Sequence, residues 1–238
     1  MKKLKKILIP KNYFWLSIEG TDGVGKTTLL EKIETFLSNQ KKINFAIIKE
    51  FSNSKVGNLI KDIINKKKFF CLGNKFHYSF SETLLLCADF VYQFEEILSK
   101  YSDKKKLFII SDRGLYSFLT YQLLRIKQRY QIHNLNSLEK WIKDIFQPLG
   151  SPDFIILLTS PIADIKKRVK ERDGAIKKNE LSFIQEIQKE YLKISKETSY
   201  PPHLILENRD RDFEYVERRA IKKIEEIIDK IQKEKSPH

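Results

Sequence analysis

Cysteine is nearly absent from this chain of 238 residues. The two present, Cys71 and Cys87, lie in apolar surroundings without metal-ligand or CxxC spacing. That argues against a disulfide scaffold or a zinc site and predicts buried, reduced thiols in a cytoplasmic setting. Long apolar runs are missing too. Behind the charged start MKKLKKILIP the apolar stretch covers only residues 7–9, too short for a secretory signal, and no run approaches bilayer-spanning length, so no membrane association is expected. There is no Pro/Ser-rich linker, internal repeat or break in composition, so a single domain over 1–238 is expected. Arginine supplies only nine of 45 cations, which makes any place where arginines gather informative.

Hydrophobic residues make up 41% and aromatic residues 12% of the chain, enough for a substantial core, which excludes a disordered or low-complexity polypeptide. The formal charge of +14 points to polyanionic partners: nucleic acid, anionic lipid or nucleotides. Much of the excess is lysine scattered through helical patterns, as at 221–230, where a solvated face is the simpler reading. No basic domain or aromatic-interleaved basic stripe is appended, so nucleic acid is not an expected partner.

Short β-rich runs at 15–19, 43–48, 107–111, 154–158 and, more weakly, 203–206 alternate with helical periodicities at 26–38, 82–99, 115–130, 137–146, 161–172, 181–196 and 212–234. Apolar strands between helices predict an α/β fold, a mainly parallel sheet covered on both faces, with its ligand crevice at the carboxyl ends of the strands. The lysine runs at 66–68 and 104–106 read as solvated turns.

Gly20-Thr-Asp-Gly-Val-Gly25-Lys26-Thr27 matches GxxxxGK[ST] in full, after a strand and opening a helix, where the chemistry needs it. Glycines let loop N–H groups turn inward around phosphate oxygens, and the helix N-terminus adds partial positive charge. The expected ATP site is therefore Gly20, Thr21, Asp22, Gly23, Val24, Gly25, Lys26, Thr27 and Thr28. Lys26 is placed to bridge the β- and γ-phosphates and the Thr27 hydroxyl to ligate Mg2+, while Thr28 belongs to the helix start. Asp112-Arg113 follows another strand at the same edge. Asp112 is expected to hold Mg2+ directly or through water and Arg113 to grip an acceptor phosphate with both prongs, a salt-bridged pair at a strand end being the alternative.

Three segments together resemble the thymidylate kinase family: IEGTDGVGKTT (18–28), DRGLYSFLTYQ (112–122) and PDFIILLTSP (152–161), in the same order and spacing. The resemblance covers about 14–208. It implies a three-layer P-loop kinase fold with a five-stranded, mainly parallel sheet, a mobile lid over ATP at about 168–180, and a homodimer. It also implies phosphorylation of dTMP to dTDP with ATP and Mg2+. In that family pattern Asp22 contacts the 3′-hydroxyl of the acceptor sugar, Arg113 holds its phosphate, and Ser117, Tyr121 and Gln122 line the nucleoside pocket. Glu50 corresponds to an acid near the acceptor.

Some members carry a catalytic arginine in the phosphate loop, where this chain has Gly23 and Val24. The stretch Lys166-Lys-Arg168-Val-Lys-Glu-Arg172-Asp-Gly174 supplies two arginines just before a Gly-containing polar segment, and it resembles the lid of members whose arginine comes from above. Arg168 and Arg172 are thus the expected catalytic cations beside Lys26 and Asp112, a surface helix of paired charges being the alternative. The chain departs from the family pattern at Gly114, commonly an aromatic, and at Thr159, commonly an acid. Within 84–93 the family's arginine falls on Phe90 or Gln93 and its base-stacking aromatic on Leu86. Phe90 is expected to stack on the base or to belong to the core. A kinase for another nucleoside or monophosphate, and a non-enzymatic P-loop nucleotide-binding protein, are the competing readings.

Overall fold

The computed structural model describes residues 12–40, 43–67, 72, 79–101, 106–132, 134–210 and 212–233. Among them, β1 (Tyr13–Gly20), β2 (Asn44–Ile48), β3 (Leu107–Asp112), β4 (Phe154–Thr159) and β5 (His203–Glu207) form one sheet in the order β2-β3-β1-β4-β5. Every neighbouring pair is parallel. Around it lie α1 (Lys26–Gln40), α2 (Lys55–Lys67), α3 (Ser79–Lys100), α4 (Leu115–Ser117), α5 (Leu123–Tyr130), α6 (Asn136–Phe146), α7 (Ile162–Asp173), α8 (Lys178–Ile194) and α9 (Phe213–Lys233).

The central strands are apolar on both faces because both faces are covered. Alternation along each strand divides the core. Leu16, Ile18, Phe108, Ile110, Ile156 and Leu158 cluster with Leu29 of α1, Ile165 of α7 and Ile224 of α9. Trp15, Ile109, Ile155 and Leu157 cluster on the other side with Phe94 of α3, Phe146 of α6 and Ile187 of α8. The result is the expected three-layer α/β architecture, its weak fifth strand included. Cys87 is a buried free thiol whose pKa burial pushes up to about 12. Among the described residues no helix is long and apolar enough to cross a membrane.

Several expectations are corrected. Residues 55–67 form a helix the periodicity reading passed over, capped where the Ser54 hydroxyl accepts the Gly57 N–H at 3.0 Å. Lys66 and Lys67 close that helix rather than forming a turn. Lys68, Lys104, Lys105 and Cys71 lie outside the described residues. The helix expected at 115–130 is interrupted by a π-helical turn, Phe118–Gln122, between α4 and α5. The Gly-containing polar segment expected between Arg172 and Glu180 is shorter than expected. Gly174 ends α7 with φ +82° and an N–H to Lys170 O at 2.8 Å, and the Glu180 carboxylate accepts the Lys177 N–H at 2.9 Å to start α8, so only 174–177 is non-helical.

Candidate functional site

Register brings the two motifs together. Ile18 pairs with Asp112 and Gly20 with Leu158, so the loop after β1 and the Asp112-Arg113 step leave the sheet side by side. Gly20 has φ +139°, and a Cβ there would lie 2.4 Å from Leu158 O, which only glycine avoids. Lys26 is buried and donates to Thr21 O at 2.9 Å. Burial, and then the Arg113 charge, hold its ammonium below the ordinary lysine value. Thr27 and Thr28 are exposed in the first turn of α1, whereas Val24 is buried in the core.

Arg113 links this loop to the second motif. Its backbone sits in the left-handed region at φ 72°, an unfavourable place for a side-chain-bearing residue, held by its N–H to Ile18 O at 2.9 Å. From there Nη1 donates to Gly20 O at 2.9 Å, Nε to Glu50 at 2.8 Å and Nη2 to the Asp22 carboxylate. Burial opposes ionisation of Asp22, but Arg113 and then Lys26 keep its carboxyl below the usual aspartate value. Asp112 is buried, its Oδ1 has no hydrogen-bond partner, and burial raises its carboxyl above the usual aspartate value.

Beside the loop opens a cleft of about 580 Å3. Asp22, Glu50, Asp112 and Arg113 line it with the apolar Phe51, Leu86, Phe90 and Phe118. Ser117, Tyr121 and Gln122 of the α4–α5 segment and Arg172 complete the set, so all the expected acceptor residues face one cleft. Phe90 is both wall and core, packing its ring against Trp15, Phe118 and Phe146. Ser117 turns its hydroxyl to Glu19 at 2.6 Å, and the Gln122 amide oxygen accepts from Thr83 at 3.3 Å. Gln93 clamps the Lys49 backbone, its amide oxygen accepting the N–H at 3.2 Å and its Nε2 donating to the carbonyl at 3.0 Å.

The two expected lid arginines part company. Arg172 lines the cleft with its guanidinium on the Asp173 carboxylate at 2.8 Å through both Nε and Nη2. Arg168 instead lies against the phosphate loop and donates to Gly23 O, Ser160 Oγ and Asn208 O at 3.3, 3.1 and 3.1 Å. One departure has a local reason. A Cβ on Gly114 would lie 2.9 Å from Ser17 Oγ and 3.1 Å from the Trp15 ring, so the indole fills the space of a side chain there. Thr159 ends β4 buried, its carbonyl accepting the Asn208 N–H at 2.8 Å.

Some residues of the site escaped the sequence reading. Glu19 is fully buried and accepts from Ser17, Ser117 and Tyr191 at 2.9, 2.6 and 3.1 Å. Its signal was an acid near the end of a buried, mostly apolar strand. Arg125 lines the cleft and lies 5.8 Å over the Phe183 ring. Its signal was helical spacing, four residues beyond Tyr121.

The family model for thymidylate kinase matches residues 18–218. A probable thymidylate kinase of Pyrococcus abyssi is 29% identical over 183 residues, 76% of this chain and 82% of that one. The thymidylate kinase of Lactobacillus acidophilus is 25% identical over 231 residues, covering 92% and 97%. The solved thymidylate kinase of Candida albicans superposes with a TM-score of 0.64 at 22% identity, covering 90% of this chain and 91% of that one, and so shares the fold. The chain belongs to the thymidylate kinase family.

Proposed function

We propose that this chain transfers the γ-phosphate of ATP to dTMP, giving dTDP and ADP. As a member of its family it is a nucleoside monophosphate kinase, a phosphotransferase with ATP as donor. The observation that carries the acceptor assignment is the position of Arg113, whose guanidinium donates to Gly20 of the phosphate loop while lining the neighbouring cleft. A fixed cation between the two substrate spaces suits the negative charge of an acceptor phosphate facing ATP.

In this reading the phosphate loop and Lys26 hold the ATP phosphates. Arg113 takes the acceptor phosphate in exchange for its contacts with Asp22 and Glu50, and Asp22 is released to the 3′-hydroxyl. The cleft volume suits a nucleotide. Leu86, Phe90 and Phe118 offer faces to a pyrimidine, with Ser117, Tyr121 and Gln122 along the nucleoside. Arg172 supplies the cation for the transferring phosphoryl group by exchanging Asp173 for phosphate oxygens, while Arg168 anchors the base of the lid. The protein acts as a single domain over 1–238, with its core at about 14–208 and its lid at about 168–180. Cytoplasmic location and homodimeric assembly complete the proposal, the second resting on the family alone.

Mg2+ fits the donor set. Asp112 Oδ1 is a buried carboxylate oxygen without a partner, the Thr27 hydroxyl is exposed at the head of α1, and both are hard oxygen ligands. Among the described residues no group of three or more acids, histidines or cysteines could hold a metal ion by itself, as suits a cation that shares its shell with ATP phosphates. Bound there, Mg2+ would neutralise charge on the β- and γ-phosphates.

An ADP-release screen of the chain against nucleosides and nucleoside monophosphates tests the reading. dTMP should lead, and thymidine should be slower by about a hundredfold or more, because it leaves the Arg113 cation unpaired. Equal rates with both would make the protein a nucleoside kinase, and release independent of any acceptor would make it an ATPase.

A further inference from the structure

Five carbonyls of the phosphate loop accept hydrogen bonds. Gly20 O accepts from Arg113 at 2.9 Å, Thr21 O from Lys26 at 2.9 Å and Gly25 O from the Leu29 N–H at 3.0 Å. Of the three between, Gly23 O accepts from Arg168 at 3.3 Å and Val24 O from Asn208 Nδ2 at 2.8 Å, both donors lying outside the loop. In a planar trans peptide the C=O and the following N–H point in opposite directions. Fixing the carbonyls of Gly23 and Val24 outward therefore turns the N–H groups of Val24 and Gly25 inward, where an anion would sit.

We propose that Asn208 is a positioning residue of the phosphate loop, which with Arg168 aims the Val24 and Gly25 N–H groups at the polyphosphate. This deepens the kinase reading and rests on it. Asn208 is itself rigidly held one residue beyond β5. Its N–H donates to Thr159 O at 2.8 Å, and its carbonyl accepts from Ser160 Oγ at 2.6 Å and Arg168 Nη2 at 3.1 Å. Arg168 also reaches Ser160 Oγ at 3.1 Å, which closes the bracket. Gly25 is part of the fit, since a Cβ there would lie 2.7 Å from Asn208 Nδ2. Asn208 is 3% exposed, and its Oδ1 is buried without a hydrogen-bond partner. A half-satisfied buried amide weakens a fold, so its presence is accounted for by the donor it directs at Val24 rather than by stability.

Asn208→Asp, nearly isosteric but without the donor, and Asn208→Ala separate donation from packing. For ADP binding by calorimetry and for KM with ATP, both variants should weaken by about tenfold, the Asp variant more because it sets a carboxylate against the Val24 carbonyl. kcat at saturating ATP and KM for dTMP should stay within about threefold, because the loop holds ground state and transition state alike. An unchanged Kd for ADP in a folded Asn208→Asp chain overturns the inference while leaving the kinase reading intact. If the wild-type chain itself fails to bind ADP, both fall. Amide resonances give a measure that survives a misfolded variant. The Val24 and Gly25 N–H signals of the wild-type chain should move downfield with ADP, and their staying in place refutes the proposal.

Discussion

The phenolic oxygen of Tyr121 accepts the backbone N–H of Asp22 at 3.1 Å, and the Arg113 guanidinium lies 4.9 Å over the same ring. One side chain of the acceptor wall thus touches both the phosphate loop and the proposed phosphate-binding arginine. Tyr121 belongs to the π-helical turn Phe118–Gln122, where the wider turn changes the direction of successive side chains. Tyr121→Phe keeps the ring and removes the acceptor, so Asp22 loses a fixed partner. KM for dTMP should rise by about three- to tenfold with kcat less affected. Unchanged steady-state constants would detach Tyr121 from the positioning of Asp22.

The two arginines of α7 should behave differently. Arg172→Ala should lower kcat and kcat/KM for ATP together, by about a hundredfold or more, as loss of a transition-state contact does. Arg172→Lys should recover little, because an ammonium lacks the planar fork. Arg168→Ala, which removes the donor to Gly23 O, should mainly raise KM for ATP. Wild-type kcat in both variants would move the cation elsewhere, to Lys170 or Lys177.

For Asp112→Asn a Mg2+ titration of activity should shift to higher concentration by about tenfold or more, with KM for dTMP little changed, since a neutral amide is a poor partner for a hard cation. A superimposable titration would remove Asp112 from the metal shell.

Glu19 gives a pH dependence. Burial raises its carboxyl above the ordinary glutamate value, so the folded chain holds this proton more tightly than the unfolded chain. The stability it contributes is complete below the ordinary value and is lost as pH rises through the raised one. Glu19→Gln cannot ionise. Urea unfolding at about pH 4 and about pH 7.5 should therefore show the variant gaining on the wild type with rising pH. A constant difference would mean that the three hydroxyl donors cancel the effect of burial.

Much of this fold is written in period and punctuation. The five apolar runs each became strands within a few residues of their expected limits, and the glycine-lysine loop stands between β1 and α1. The helix at 55–67 was equally legible, with Val56, Leu59, Ile60, Ile63 and Ile64 at helical spacing behind Ser54. Gly57 masked it. That glycine serves a close approach, since a Cβ there would lie 2.3 Å from Ser52 O. Other features depend on contacts between distant segments. The positive φ of Arg113 follows from its place beside β1, and Arg168 and Arg172, a turn apart on one face of α7, differ because the first reaches the loop and the second takes Asp173 at the cleft. Asn208 acts on a loop 184 residues away, which no local pattern announces.

Phosphorus NMR of a mixture of the chain, ATP, Mg2+ and dTMP tests the central claim most directly. The phosphorus doublets of dTDP should grow in step with ADP, without inorganic phosphate. In a folded Lys26→Ala chain both should slow by several powers of ten, because the charge on the transferring phosphates is lost. ADP and inorganic phosphate without dTDP, or a Lys26→Ala chain as fast as the wild type, would contradict the account.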